Sequence, residues 1–310
     1  MSSNSSLTIL LYHGVTDCRS EGIENFSGKH LPSDVFRVQM EMLRDQCTVL
    51  SMDEVVYLYH RGKGYPESAV AVTFDDGFEN NYTVAAPILR DFSIPATFYI
   101  STGFIDTARM FWVDEVEDSI NRAAKRFLRG HSLSTPADKI RYVNQIKQTC
   151  KRLQDSEARQ IISNLCRESR IEPQVSASHN YRKITWDQVC RLDAEELFTI
   201  GAHTVNHRIL SLLPEHEMIE EIDGSLSVLR EKLGHEMVHF SYPEGQEHHY
   251  NQRVIEVLKD RGVVCSPSAV DGINDVKTDL FHLRRIMPGF NGRVFPIGQS
   301  ILAGMVTAAR

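Results

Sequence analysis

One short stretch constrains the fold of this chain more than any other. Residues 68–76, SAVAVTFDD, are apolar on both alternating faces until the stretch ends in two acidic residues. A strand with two apolar faces is typical of a parallel sheet that is covered on both sides. We therefore predict a buried parallel strand here, inside an α/β fold.

Further candidate strands and helices alternate on both sides of this stretch. This alternation favours a parallel sheet or barrel, because parallel strands need crossover helices. Apolar runs predict strands over 7–13, 47–51, 95–102, 197–203, 237–243, 263–267 and 279–287. Helical spacing of apolar residues predicts helices over 32–46, 52–62, 80–92, 185–193, 215–234 and 250–262.

The alternation stops between residues 104 and 183. This region contains no convincing strand, and its periodicity predicts three amphipathic helices over 111–130, 135–154 and 156–169. We interpret 104–183 as a helical insertion within one domain that spans 1–310.

Charge and cysteine content exclude some classes of protein. A formal net charge of −7 disfavours a non-specific nucleic-acid binder. The six cysteines are scattered without a C-x-x-C pair, which is typical of a reduced chain. No signal-peptide pattern precedes the first apolar run, and no run is long enough to span a membrane. These features predict a cytoplasmic protein; the oligomeric state stays open.

Two polar motifs follow predicted strand ends. Asp75 and Asp76 end one strand, and His203 and His207 follow another in an H-x-x-x-H arrangement. Histidines at i and i+4 can converge on one ion, and two histidines with one carboxylate are a common catalytic metal set. Because the carboxyl ends of parallel strands meet at one rim, Asp76 is the candidate third ligand.

These motifs resemble those of the polysaccharide deacetylases with a NodB-homology domain. The segment TFDDG at 73–77 resembles the family's first motif, and His203-Thr204-x-x-His207 resembles its second. The segment LLYHGV at 10–15 is similar to a family segment near the N-terminus. The resemblance implies a distorted (β/α) barrel of about seven strands.

The resemblance also implies roles for individual residues. Asp76, His203 and His207 would bind one divalent metal, and Asp75 would be the general base. Zinc is the first choice of metal, and cobalt, nickel, manganese and iron remain open because geometry and availability decide.

The family's third motif is altered in this chain. In the segment FSYPEG, Ser241 occupies the usual position of an arginine, and Glu244 that of a tyrosine. We expect Tyr242 and Pro243 to wall the pocket and the Glu244 N–H to be a candidate oxyanion donor. Arg285 resembles an arginine of some relatives, and we expect it either to pair with Asp75 or to be solvated.

The general acid is less well defined, because the family's fifth motif, L-x-H, is not intact. His13 is the best candidate, since it ends the first predicted strand at the same rim as Asp75. The alternatives are His248, His249 and His282.

The start of the insertion carries candidate substrate contacts. Trp112 can stack on a sugar ring and Asp114 can bind a hydroxyl; alternatively, Trp112 is the apolar anchor of the insertion. We expect the insertion to cover the pocket and to influence substrate choice.

Together these features predict a metal-dependent amidohydrolase that removes an N-acetyl or other N-acyl group from an amino sugar. Cytoplasmic localisation leads us to expect a lipid-linked or nucleotide-linked intermediate of surface polysaccharide synthesis. Two alternatives remain: a deacylase of a ureide or polyamine, and an inactive relative that binds metal or sugar.

Overall fold

The computed structural model describes residues 6–62, 64–124, 126–169 and 178–296. The strands within these ranges are short and mostly parallel. They are β1 (Leu7–Tyr12), β2 (Gly14–Thr16), β3 (His30–Pro32), β4 (Thr48–Leu50), β5 (Ala69–Phe74), β6 (Ala96–Ile100), β7 (Phe127–Leu128), β8 (His131–Ser132) and β9 (Phe198–Ala202).

The main sheet has five parallel strands with β5 at its centre. Strand β1 pairs with β5 along its whole length, while β4 pairs with residues 69–71 and β6 with residues 72–74. Strand β9 pairs with β6 on the outer side. Every residue of β5 and β6 is buried. The predicted α/β fold, with a parallel strand covered on both faces, is confirmed.

Most predicted helices are also confirmed, with small changes of boundary. The helix predicted over 111–130 is wrong in its second half: it ends at Arg122, and Phe127–Leu128 form β7. Arg129 and Gly130 have positive φ angles in the turn to β8, which a helix cannot contain. Residues 80–92 form a π-turn over Asn81–Ala85 followed by a helix, instead of one continuous helix. The helices are α1 (Ser33–Gln46), α2 (Met52–Arg61), α3 (Ala86–Phe92), α4 (Trp112–Arg122), α5 (Pro136–Cys150), α6 (Asp155–Ser169), α7 (Trp186–Asp193), α8 (Glu215–Leu233) and α9 (Gln252–Asp260).

Three predicted strands, 237–243, 263–267 and 279–287, are wrong as regular strands. Each contributes only single bridges, which link Ala202 to Phe240, His239 to Cys265 and Leu10 to Ile286. Prolines at 243 and 267 lack the N–H that a ladder needs, which is a local reason for the interruption. The described residues therefore contain five regular strands in the main sheet instead of about seven, and bridges extend the pairing from β9 towards β1.

The insertion packs around an apolar cluster of its own. This cluster contains residues from α4, α5 and α6, and Ile23 joins it from the region before α1. Strands β7 and β8 form a small antiparallel pair here that the sequence did not predict. The boundaries 104–183 and the single domain stay predictions. No helix in the described ranges is both long and apolar enough to cross a membrane.

Candidate metal and catalytic site

The predicted metal-binding and catalytic residues meet in one cleft at the carboxyl ends of β5 and β9. Asp75 and Asp76 directly follow β5, and His203 directly follows β9. The cleft has a volume of about 710 Å³, within the usual range for ligand pockets. Asp75, Asp76, His203, His207, His13 and Arg285 all line it.

Asp76, His203 and His207 form a compact group of potential metal ligands. Oδ1 of Asp76 lies 3.6 Å from Nε2 of His203 and 3.2 Å from Nε2 of His207. Two ligand atoms bound tetrahedrally to zinc are roughly 3.4 Å apart, so this spacing suits one ion. All three residues are buried, and no other such group occurs in the part of the chain that the structure describes.

The backbone at these ligands adopts an uncommon conformation. Asp76, Thr204 and His207 have φ angles of 80°, 62° and 54°. The hydroxyl of Thr204 accepts a hydrogen bond from the His207 N–H at 2.9 Å, which stabilises the turn between the two histidines. The buried carboxylate of Glu221 accepts bonds from the N–H groups of residues 205 and 206. The loop is thus held in shape by its own sequence and by α8.

Hydrogen bonding and charge also suit a metal. Nδ1 of His203 lies 2.7 Å from the carbonyl of Ser241, so this nitrogen donates and Nε2 is left free to bind. Oδ1 of Asp76 has no well-aligned donor among the described residues. Burial alone would raise the pKa of Asp76, but the positive charge of His207 and His13 holds it well below its usual range. An ionised carboxylate beside a free imidazole nitrogen fits a divalent cation.

Asp75 is held by Arg285, as one of the two sequence expectations proposed. Nη1 and Nη2 of the guanidinium donate to the two carboxylate oxygens at 2.8 and 2.7 Å. The remaining three N–H groups bond the Ser268 carbonyl and the hydroxyls of Thr73 and Ser241. All five donors of the guanidinium are therefore satisfied in a fully buried position.

Ser241 gives the altered third motif a structural role. Its hydroxyl accepts from Arg285 and donates to Oδ2 of Asp75 at 3.2 Å. Burial alone would raise the pKa of Asp75, but Arg285 lowers it below its ordinary value. An arginine from a distant segment thus stands beside the candidate base Asp75, although the third motif carries a serine.

His13 lies in the cleft, whereas the alternative acids do not line it. Nδ1 of His13 is buried without a hydrogen-bond partner among the described residues. Burial lowers its pKa, and the charges of Asp76 and Asp75 oppose that shift. His248, His249 and His282 lie outside the described cleft lining, and His282 contacts Tyr250 instead.

The predicted substrate contacts are divided between two places. Tyr242 and Glu244 line the cleft, but Trp112 and Pro243 are not among its described lining residues. Trp112 packs against the apolar cluster of the insertion, which matches the alternative of an apolar anchor. The carboxylate of Glu244 forms an ion pair of 2.5 Å with Lys151 at the end of α5.

Several lining residues escaped the sequence reasoning. Lys29, His30 and Glu117 line the cleft, as do Lys147 and Lys151 of the insertion. They lie in no motif, and only the folded chain brings them to the site. The position of His30 three residues before α1 was the one available signal, and it is not specific.

An α/β fold with a buried Asp-His-His group and a second, arginine-held aspartate at the strand ends defines a class of candidate hydrolases. Residues 62–266 match the family model of polysaccharide deacetylases, which is more than half of the chain. The chain therefore belongs to the polysaccharide deacetylase family.

Two curated relatives match shorter segments. The putative polysaccharide deacetylase YxkH of Bacillus subtilis is 30% identical over 95 residues, which cover 30% of this chain and 31% of that protein. The poly-beta-1,6-N-acetyl-D-glucosamine N-deacetylase of Staphylococcus aureus is 34% identical over 87 residues, covering 28% and 29%. The chain thus matches about three tenths of the length of these relatives.

Solved structures are similar over nearly the whole chain. The deacetylase PplD of Streptococcus pyogenes, in complex with acetate, has a TM-score of 0.63 at 18% identity and covers 97% of this chain and 98% of that one. IcaB of Ammonifex degensii has a TM-score of 0.57 at 20% identity, with 97% and 96% covered. At these identities the likeness establishes the NodB-like fold.

Proposed function

We propose that this protein is a metal-dependent deacetylase that removes the N-acetyl group of an amino sugar. The observation that carries the proposal is the pair of adjacent aspartates in one cleft. Asp76 faces His203 and His207, while Asp75 pairs with Arg285 at 2.7 Å. One carboxylate can bind a metal while its neighbour, kept ionised by Arg285, can accept a proton.

Each side chain has a distinct task in this proposal. Asp76, His203 and His207 would hold a divalent metal, with zinc the first choice. Such an ion would lower the pKa of water and polarise the amide carbonyl. Asp75 would accept the proton of the attacking water, and Arg285 would keep Asp75 ionised and oriented. Arg285 acts through Asp75 and is a positioning residue.

His13 is the proposed donor of a proton to the leaving amine. Its unpartnered Nδ1 and its place in the cleft support this role. Because burial lowers its pKa, His13 is mostly neutral at neutral pH and must take up a proton before it can donate one. The N–H of Glu244 remains the candidate oxyanion donor.

The relatives favour a sugar among the possible acyl amides. The Staphylococcus aureus relative is a deacetylase of a polymer of N-acetyl-D-glucosamine. By analogy, an N-acetylglucosamine unit is the proposed substrate here. A lipid-linked or nucleotide-linked intermediate and a cytoplasmic location stay predictions that rest on the sequence alone.

The first test is release of acetate by purified protein that is stripped of metal and then reloaded with zinc or cobalt. Substrates would be N-acetylglucosamine in free, nucleotide-linked and oligomeric form, with Asp75→Asn as the matched variant. We expect metal-dependent release that falls by about 100-fold or more in the variant. Release that is equal with and without metal, or equal in the variant, would refute the proposal.

A further inference from the structure

A second polar surface lies in the cleft and has no task in the proposed reaction. It consists of Lys29, His30 and Asp114, all of which line the cleft. His30 and Asp114 are buried, with 1% and 2% of their surface exposed. Each has one buried polar atom without a partner among the described residues: Nε2 of His30 and Oδ2 of Asp114.

The fold holds His30 close to His13. Strands β2 and β3 place Gly14, which follows His13, opposite His30. A Cβ at Gly14 would lie 2.0 Å from Nδ1 of His30, so this close approach requires glycine. Nδ2 of Asn80 lies 3.0 Å from the same Nδ1. Since the Asn80 amide donates to Nδ1, the imidazole proton lies on Nε2, which is therefore a donor.

Asp114 is positioned through Phe111, whose ring contacts the candidate metal ligand His207. It lies in the first turn of α4, where its N–H donates to the Phe111 carbonyl at 2.9 Å. The Phe111 ring packs edge-on against the ring of His207, with centroids 5.0 Å apart. Nζ of Lys29 lies 2.5 Å from Oδ1 of Asp114, which leaves Oδ2 as a free acceptor.

These atoms select the chemistry of a ligand. A donor on His30, an acceptor on Asp114 and the ammonium of Lys29 suit a group that both donates and accepts, which a hydroxyl does. An ammonium group of an acyl polyamine could donate to Asp114 but would offer no acceptor to the His30 N–H, and a carboxylate would offer no donor to the free oxygen of Asp114. A ligand group that only donates or only accepts would leave one of these two buried polar atoms unpaired, which is costly.

We infer that Lys29, His30 and Asp114 form a hydroxyl-binding subsite that holds the sugar ring of the substrate beside Asp75. This inference rests on the proposed deacetylase function for the identity of the reacting group. It assigns the substrate to ring-hydroxyl-bearing amides and separates it from polyamine amides, whose ammonium groups offer no acceptor.

The test uses N-acetylglucosamine oligomers and analogues in which one ring hydroxyl is replaced by hydrogen. The key variant is Asp114→Asn, because its amide keeps an oxygen for Lys29 and puts an NH₂ donor where the hydroxyl needs an acceptor. Asp118→Asn is the matched control, since Asp118 lies on the same helix and pairs with Arg122 at 2.8 Å. Thermal unfolding checks that each variant folds.

Two readouts separate this inference from the proposed function. Calorimetry measures binding of each sugar to metal-loaded Asp75→Asn protein, with and without the change at Asp114. Acetate release by protein with Asp75 intact measures kcat/KM. We expect removal of one particular hydroxyl to weaken binding and kcat/KM by about 10- to 100-fold, and Asp114→Asn, but not Asp118→Asn, to abolish that difference.

The possible failures are distinguishable. Binding that depends on one hydroxyl and on Asp114, without acetate release, would support the subsite and refute the deacetylase function. Acetate release that does not fall when any one hydroxyl is removed, or that falls equally with and without Asp114→Asn, would refute the subsite alone. Neither binding nor release of any sugar would refute both.

Discussion

At the scale of single residues, the pair of Asp75 and Arg285 dominates the site. The two residues are 210 positions apart in the chain, and both are buried. A buried carboxylate is costly unless a charge and hydrogen bonds compensate it, and here Arg285 and Ser241 supply both. We therefore expect the pair to affect stability as well as the proposed activity.

Replacing Arg285 with methionine tests this dependence. The change leaves Asp75 buried and unpaired, so we expect the free energy of unfolding to fall by about 3 to 5 kcal/mol. Acetate release should also be lost. The measurement is denaturant unfolding, with Arg284→Met as the control. Arg284 is the exposed neighbour of Arg285, so its replacement should change the free energy of unfolding by only about 0.5 kcal/mol. Equal effects of the two changes would contradict the assigned role.

Lys183 is a second residue with an unusual environment. Its Nζ donates to the Tyr181 carbonyl at 2.8 Å and lies over the rings of Phe78 and Phe111 at 4.3 and 4.4 Å. Burial lowers its pKa from 10.5 to about 7, although the nearby charge of Asp114 opposes the shift. At pH values between these two pKa values, Lys183 is protonated in the unfolded chain and neutral in the folded chain, so the unfolded chain holds one more proton.

This difference predicts how stability depends on pH. Because the unfolded state binds more protons, the contribution of Lys183 should rise by up to about 1.4 kcal/mol per pH unit between pH 7.5 and 9.5. Lys183→Met should lack that rise. Denaturant unfolding of both proteins at three pH values measures it, with exposed Lys277→Met as control. A constant difference between wild type and Lys183→Met would show that Lys183 does not titrate there.

At the scale of elements, helix α5 joins the insertion to the catalytic rim. Lys151 follows α5 directly and pairs with Glu244, whose φ of 61° is uncommon for a residue other than glycine. Burial would raise the pKa of Glu244, but the charge of Lys151 lowers it to about 2. The ion pair thus stays intact at ordinary pH and holds one wall of the cleft.

Lys151→Met should loosen this wall without changing the reacting groups. We expect faster amide hydrogen exchange in residues 136–169 and a kcat/KM that falls several-fold, because Glu244 also carries the candidate oxyanion donor. The control is Arg141→Met on the same helix, because Arg141 pairs with Asp138 at an exposed position. If exchange in α5 does not change, the ion pair does not hold the insertion in place.

At the scale of the whole molecule, metal binding should stabilise the fold. Asp76, His203 and His207 come from two loops after different strands, so one ion would link distant parts of the chain. A ligand that binds only the folded state raises the free energy of unfolding by about 2.7 kcal/mol when its free concentration is 100 times its Kd. We expect a chelator to lower Tm and added zinc to restore it, as measured by thermal unfolding. In His207→Gln the zinc-dependent shift should be largely lost; a shift of wild-type size would place the metal elsewhere.

The sequence by itself determined the central sheet and the metal-ligand candidates. A strand with two apolar faces and the acids at its end form a local pattern, as does the H-x-x-x-H spacing. Local patterns also predicted the helices of the insertion, because their apolar positions repeat at helical spacing. Because parallel strand ends meet at one rim, Asp76 could be linked with two histidines that lie more than 120 residues further along the chain, and the resemblance to a family supported that link.

Only the tertiary structure decided the contacts that depend on distant segments. In the folded chain, Arg285 pairs with Asp75 instead of facing solvent, and Trp112 packs against the apolar cluster of the insertion. Lys29, His30 and Asp114 all line the cleft. The tertiary structure also reduced three apolar runs to single bridges. The physical reason is that pairing and burial depend on which segments meet in space, while periodicity reports only the preference of each segment.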